Sequence, residues 1–270
     1  MTTVAAVETT LIPNESNRSA VSWPAIAAGA VASCALSLFL FELLAGLGLL
    51  AVSPWSNAGV SATTFSVASG VALILMSVMA SALGGAIAGR LRTKWVGIHV
   101  DETYFRDTAH GLLAWAFATV LTATVLAAAV TAILGGATQG ATQGAANAGP
   151  TLTRNAYFTD MLFRSDRLAQ GDNNNQSGVP EASRLLTRAV TGTVAADDRA
   201  RLAQLVAMRT GISQDDAQKR VDTVITQAKA AADEARKAAA TFALWMAAAL
   251  LAGALAAGIA AVEGGRERDA

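Results

Sequence analysis

Two groups of residues in this sequence could do chemistry. The first is Glu42, a carboxylate inside the apolar run 24–52. Burying a charge at that depth costs on the order of 3 kcal/mol, so the group must be neutral, paired or facing water. As a proton or cation site it would draw on oxygen partners such as Ser37 on the same run and Ser77 or Ser81 on the next. As a structural residue it would be a neutral acid hydrogen-bonded between helices, and the residue types leave both roles open. The second group lies in "GRLRTKWVGIHVDETYFRDTAHG", residues 89–111. Asp107 and His110, three residues apart, share a helix face, and His99 lies close by in sequence. Imidazole and carboxylate together could ligate a metal. The spacing matches no metal motif, however, and a helix start with acidic first turns plus ion pairs to Arg90, Arg92 or Arg106 accounts for the same residues.

Signatures for other chemistries are missing. The chain has no GxSxG, no phosphate-binding Gly-rich loop ending in Lys-Ser/Thr and no HExxH. Its single cysteine, Cys34, sits in an apolar run, which excludes an intramolecular disulfide and a cysteine zinc cluster. The expectation is a protein that is not an enzyme, with no catalytic, cofactor-binding or metal residues and no cofactor. Twenty basic residues balance twenty acidic ones, and no basic patch with interleaved aromatics argues for nucleic acid.

What must position these residues is a membrane. Of 270 residues 53% are hydrophobic and only 15% charged. That is an apolar excess over ordinary soluble domains. Four stretches, 24–52, 65–89, 112–135 and 239–262, reach the roughly 20 apolar residues needed to cross a hydrocarbon core. Trp23, Trp55, Trp95 and Trp245 fall at or near their ends, as interfacial aromatics do. The first run exceeds the roughly 7–15 residues of a signal-peptide core, so it is expected to stay in the mature protein. Small residues at four-residue spacing are expected to bring helices together: Gly29 with Ser33, Gly85 with Gly89, and Ala254 with Gly258.

The expected fold is all-α, four transmembrane helices with a small extramembrane helical bundle between the third and fourth. Basic residues in the connections set the orientation. The loop 90–111 carries Arg90, Arg92, Lys94 and Arg106, and the connection before it carries none. That places the loop 90–111, a disordered tail 1–23 and the tail 263–270 in the cytoplasm, and 136–238 outside. Arg236 and Lys237, on the outer side of the last span, run against this pattern. Residues 136–153, with their Gly-Ala-Thr-Gln tandem, read as a flexible linker.

From 154 to 238 the periodicity is helical. Tyr157, Met161 and Leu162 mark one helix, Leu185, Leu186, Ala189 and Val190 a second, and Leu202, Leu205, Val206 and Arg209 a third that ends at Gly211. Ser213 with Asp216 three residues later starts the next helix in a capping-box-like arrangement. The stripe Ala217, Val221, Val224, Ile225, Ala228, Ala232 and Ala235 then runs into the fourth span as one helix of about 50 residues, about 75 Å long. The ends of spans two and four, "ALGGAIAGRLR" and "ALAAGIAAVEGGRER", are alike, by duplication or by convergence on small residues followed by arginine.

The stretches "SPWSNAGVSATTFSV", "ASALGGAIAGRLRTKWVGIHVDETYFRDTAHGLLAWAFAT", "YFTDMLFRSDR" and "LAQLVAMRTGISQDDAQKRVD" together resemble a family of alphaproteobacterial four-helix inner-membrane proteins often labelled PhnA-like. The family has no assigned activity. The resemblance implies a bacterial inner-membrane protein and transfers no catalytic residue. The label hints at phosphonate or zinc-ribbon chemistry, for which this chain has no zinc-ligand cluster. The expected partners are the lipid bilayer and either an envelope protein, met around residues 199–209 and the outer half of the long helix, or further copies in a homo-oligomer. The expected function is to present the periplasmic helices to such a partner, with a small transporter or channel accessory using Glu42 as the alternative.

Overall fold

The computed structural model describes residues 19–53, 55, 58–95, 97–136, 149–164, 178–192 and 195–270. The expected disorder of the N-terminal tail falls mainly, and that of the linker largely, outside these residues. Among these residues seven helices follow in order: α1 (Trp23–Ala51), α2 (Ala62–Leu91), α3 (Val100–Gly136), α4 (Gly149–Phe163), α5 (Val179–Thr191), α6 (Ala196–Thr210) and α7 (Gln214–Asp269). No strand occurs among the described residues, only an isolated bridge between Val52 and Gly59. Four of the helices are long and apolar enough to cross a membrane: α1, α2, α7 and the 100–125 part of α3. The chain is an all-α membrane protein, and its last helix is 56 residues long.

Two compact units divide it, one of residues 1–124 with 244–270, the other of residues 125–243. In the first unit the helix directions can be read from contacts. Gly29 opposes Gly84, and Ser33 Oγ donates to the Ala80 carbonyl at 2.8 Å, so α1 and α2 are antiparallel. Ser77 Oγ donates to the Ala249 carbonyl at 2.7 Å, Gly85 meets Ala257 and Gly89 meets Ala261. That constant register makes α2 and α7 parallel. Cys34 Sγ lies 3.4 Å from the Ala118 carbonyl, and the Ser22 amide donates to His110 Nε2, so α1 and α3 are parallel too. The N-termini of α1 and α3 and the C-termini of α2 and α7 therefore meet at one end.

The small-residue seams explain how closely these helices pack. A Cβ on Gly85 or Gly89 would overlap the carbonyl oxygen of Ala257 or Ala261, and one on Gly29 would overlap that of Gly84. Without a hydrophobic force between helices in lipid, such backbone-to-backbone approach supplies the dispersion that holds them. On α7 the seam runs through Gly253, Ala257 and Ala261. The expected pair lies one residue further on: Ala254 and Gly258 line an apolar groove with Thr108 and Leu112, and Gly258 approaches α3 only at the Thr108 methyl. In a helix this rich in alanine almost every face is small, so sequence spacing could not choose the register.

The loop expected over 90–111 is shorter. Helix α3 starts at Val100 with Asp101 and Glu102 in its first turn, where carboxylates complement the helix dipole. Likewise α4 begins at Gly149, inside the stretch read as linker.

The second unit has its own apolar core. Phe158 and Leu162 of α4, Leu186 of α5, Leu202 and Val206 of α6 and Val221, Val224 and Ile225 of α7 are buried together. Gly211 ends α6 at φ 71°. That left-handed conformation is one that glycine takes without strain. Ser213 then caps α7, its Oγ accepting from the Asp216 amide at 3.1 Å and donating to the Asp216 carboxylate at 2.7 Å. Replacing Ser213 with Ala is expected to cost about 1 kcal/mol of stability. Thermal unfolding of the full-length protein followed by helical ellipticity checks this, and an unchanged midpoint would show the cap to be idle.

Candidate functional site

The converging helix ends of the first unit hold its charged interior. Arg92, the C-cap of α2, has a fully buried side chain, the largest such among the described residues. A guanidinium has five N–H donors in a planar fork, and here all five are used. Nε donates to Asp107 Oδ1, and Nη2 to Asp107 Oδ2 at 2.9 Å and Asp269 Oδ2 at 2.8 Å. Nη1 reaches the Thr93 carbonyl at 3.1 Å and Asp269 Oδ1 at 3.3 Å. One side chain thus joins the end of α2 to α3 and α7. Burial opposes the charge on Arg92, but the hydrogen bonds to Asp107 and Asp269 outweigh it and hold its pKa above the ordinary arginine value.

The surroundings tighten this clamp. Trp95 lies under two guanidinium groups, Arg92 at 5.5 Å and Arg106 at 5.0 Å from the ring centre. Both are cation–π arrangements. Gly265 is required beside the clamp, because a Cβ there would overlap Asp107 Oδ2. Lys94 Nζ donates to the Asp269 carbonyl at 2.9 Å, Arg268 Nε to the Arg92 carbonyl at 3.2 Å, and Arg90 pairs with Glu267. His110 is buried on α3, one turn beyond Arg106. Its Nε2 accepts the Ser22 amide proton at 2.9 Å, which leaves the ring proton on Nδ1 to donate to the Arg106 carbonyl at 2.7 Å. The histidine ties the start of α1 to α3.

These bonds determine what the cluster can do. The three metal candidates are not brought together: His99 is exposed and lies 3.6 Å from Asp101, Asp107 is spent on Arg92, and both nitrogens of His110 are engaged. No group of three or more His, Cys, Asp or Glu side chains is placed to hold a metal among the described residues. The arrangement is an electrostatic lock in which every Arg92 N–H is used, although the indole Nε1 of Trp95 beside it is buried without a hydrogen-bond partner among the described residues. Sequence reasoning named Arg92 among several pairing candidates for this loop but missed Asp269 and Gly265, which the pattern of short loops could not place opposite Asp107.

Glu42 is elsewhere. It lies on the exposed face of α1 and makes no hydrogen bond or ion pair among the described residues. Ser77 and Ser81, the oxygen partners considered for it, face α7 instead: Ser77 bonds Ala249, and both hydroxyls border Gly253. In the second unit, ion pairs lie at the surface, Arg201 with Glu181 at 2.9 Å and Arg199 with Asp222 at 3.4 Å. Asp233 accepts hydrogen bonds from both Lys237 and Arg236, and these draw its carboxyl down to about 2.

No family model, curated protein or solved structure matches this chain.

Proposed function

We propose that this protein is a non-enzymatic, multi-pass protein of the bacterial inner membrane, of the PhnA-like group it resembles. In this reading four spans anchor a helical module, residues 154–238, that binds an envelope protein in the periplasm. The observation that carries the reading is the make-up of that module. Its core is built of apolar side chains with Thr159 and Thr210 buried beside them, Arg201–Glu181 and Arg199–Asp222 pair across partly exposed side chains, and bulky apolar side chains remain at its surface, Met208 at 70% and Tyr157 at 56% exposure. Those are features of a contact surface more than of a reaction centre.

The orientation proposed keeps both termini cytoplasmic. Arg90, Arg92, Lys94, Arg106, Arg266 and Arg268 all belong to the end where α1 and α3 begin and α2 and α7 finish, whereas the connection 52–61 has no basic residue. The positive-inside rule puts the basic end in the cytoplasm. Arg236 and Lys237, the two residues against this assignment, are both paired with Asp233.

Purification of the tagged full-length protein from its native membrane is expected to recover an envelope protein at near-stoichiometric amounts. Deletion of residues 154–235 should lose that partner, and Met208→Asp should weaken its recovery while leaving the protein folded. A partner retained by both variants would overturn the reading. Transport through Glu42 is the alternative, and its support is thinner, because that carboxyl faces away from the helix contacts of its own unit.

A further inference from the structure

Helix α1 carries an exposed face whose composition selects its occupant. From Cys34 to Ala51 no residue is buried, although this is among the most apolar stretches of the chain. Exposed side chains lie on several sides of this stretch, Phe39, Leu43 and Leu47 among them, and Val31, Ala35, Leu38, Glu42, Ala45 and Leu49 form one line of them at alternating spacings of four and three residues. That is the 3.5-residue period of a left-handed helix pair, with small side chains at two of the positions to admit a neighbour. Glu42 sits in the middle of this seam, about 14 Å before the helix ends at Ala51 and so deep in a hydrocarbon core about 30 Å thick.

A carboxyl at that depth needs a partner. The stretches 24–52, 65–89, 112–135 and 239–262 contain no Lys, Arg or His, so no second span of this chain, and none in another copy, offers a cation. A neutral carboxylic acid, however, is donor and acceptor at once and therefore complementary to itself. Copies inserted in the same direction and related by a two-fold axis along the membrane normal place identical positions of α1 opposite each other.

We infer that the protein forms a parallel homodimer through α1, its Val31–Leu49 seam closed by reciprocal hydrogen bonds between the two Glu42 carboxyl groups. This dimer does not depend on the partner proposed for the periplasmic module. It also gives the exposed carboxyl a role that needs no substrate.

The test uses the full chain in mild detergent, with mass measured across a dilution series. Wild-type protein is expected to be a dimer, Glu42→Gln to remain one because an amide also donates and accepts, and Glu42→Leu to dissociate at about tenfold higher concentration. In a Cys34→Ser background, Leu38→Cys should cross-link between copies and Leu47→Cys, on the opposite side of α1, should not. A monomeric wild type, a Glu42→Leu dimer as tight as wild type, preferential cross-linking at Leu47, or a different protein held stoichiometrically through Glu42 would each overturn the proposal. Loss of the periplasmic partner in the variants lacking residues 154–235 would leave the dimer intact, which separates the two readings.

Discussion

Arg92→Ala is expected to destabilise the protein by about 3–5 kcal/mol, the cost of leaving a buried charge without its counter-ion. The variant strips Asp107, itself buried, of its bidentate partner and frees Asp269 from α2. Three helix ends then lose the side chain that joins them. Arg92→Lys should recover little, since an ammonium with three donors cannot face two carboxylates and a carbonyl in one plane. Pairing Arg92→Met with Asp107→Leu should recover much of the loss, because well-packed apolar side chains often replace a buried ion pair at no cost. Thermal unfolding in one detergent, read by tryptophan emission, compares the four proteins. If Arg92→Ala unfolds within about 1 kcal/mol of wild type, the lock contributes no more than an exposed pair does.

The second large effect is expected at the seam between α2 and α7. Gly89→Ala places a methyl group against the Ala261 carbonyl, and Gly85→Ala does the same at Ala257. Backbone cannot swing aside as a side chain can, so the helices must part and lose contact along their shared length. Each change is expected to cost about 1–3 kcal/mol, in the range of overpacked cores. Gly48→Ala is the matched control: its Cβ would stand 3.7 Å from the Phe65 ring, an ordinary contact. Alanine is the better helix former, so this variant should be neutral or slightly stabilised. Equal melting of Gly89→Ala and Gly48→Ala would remove the close seam from the account.

The two effects act at different depths of one bundle. Small residues let α2 and α7 run parallel in contact, and the clamp at Arg92 fixes where that run stops. The resemblance between the ends of these helices acquires a structural meaning here, since "ALGGAIAGRLR" and "ALAAGIAAVEGGRER" pack side by side in register. Shared packing demands are sufficient to make them alike, and a duplication is not needed to explain it.

Much of this fold follows from residues read one stretch at a time. Runs of apolar residues longer than about 20 are stable in lipid as helices, so the four spans were decided locally by composition. Gly211, Ser213 and Asp216 punctuate α6 and α7 through bonds between neighbours in sequence, and the unbroken stripe after them requires one long helix. Which side chains meet across helices is another matter. Helix α7 is so rich in alanine that its seam has no distinctive period, and only packing selects Gly253, Ala257 and Ala261 over the residues beside them. The partners of Arg92 lie 15 and 177 residues away, and charge alone could not choose Asp107 and Asp269 from the acidic residues around them. The same holds for Glu42. The sequence by itself determined that a carboxyl lies inside a span, because hydropathy is a local sum; only the tertiary structure decided that it faces outward, because orientation depends on which side of α1 the close contacts of Gly29 and Ser33 with α2 take up.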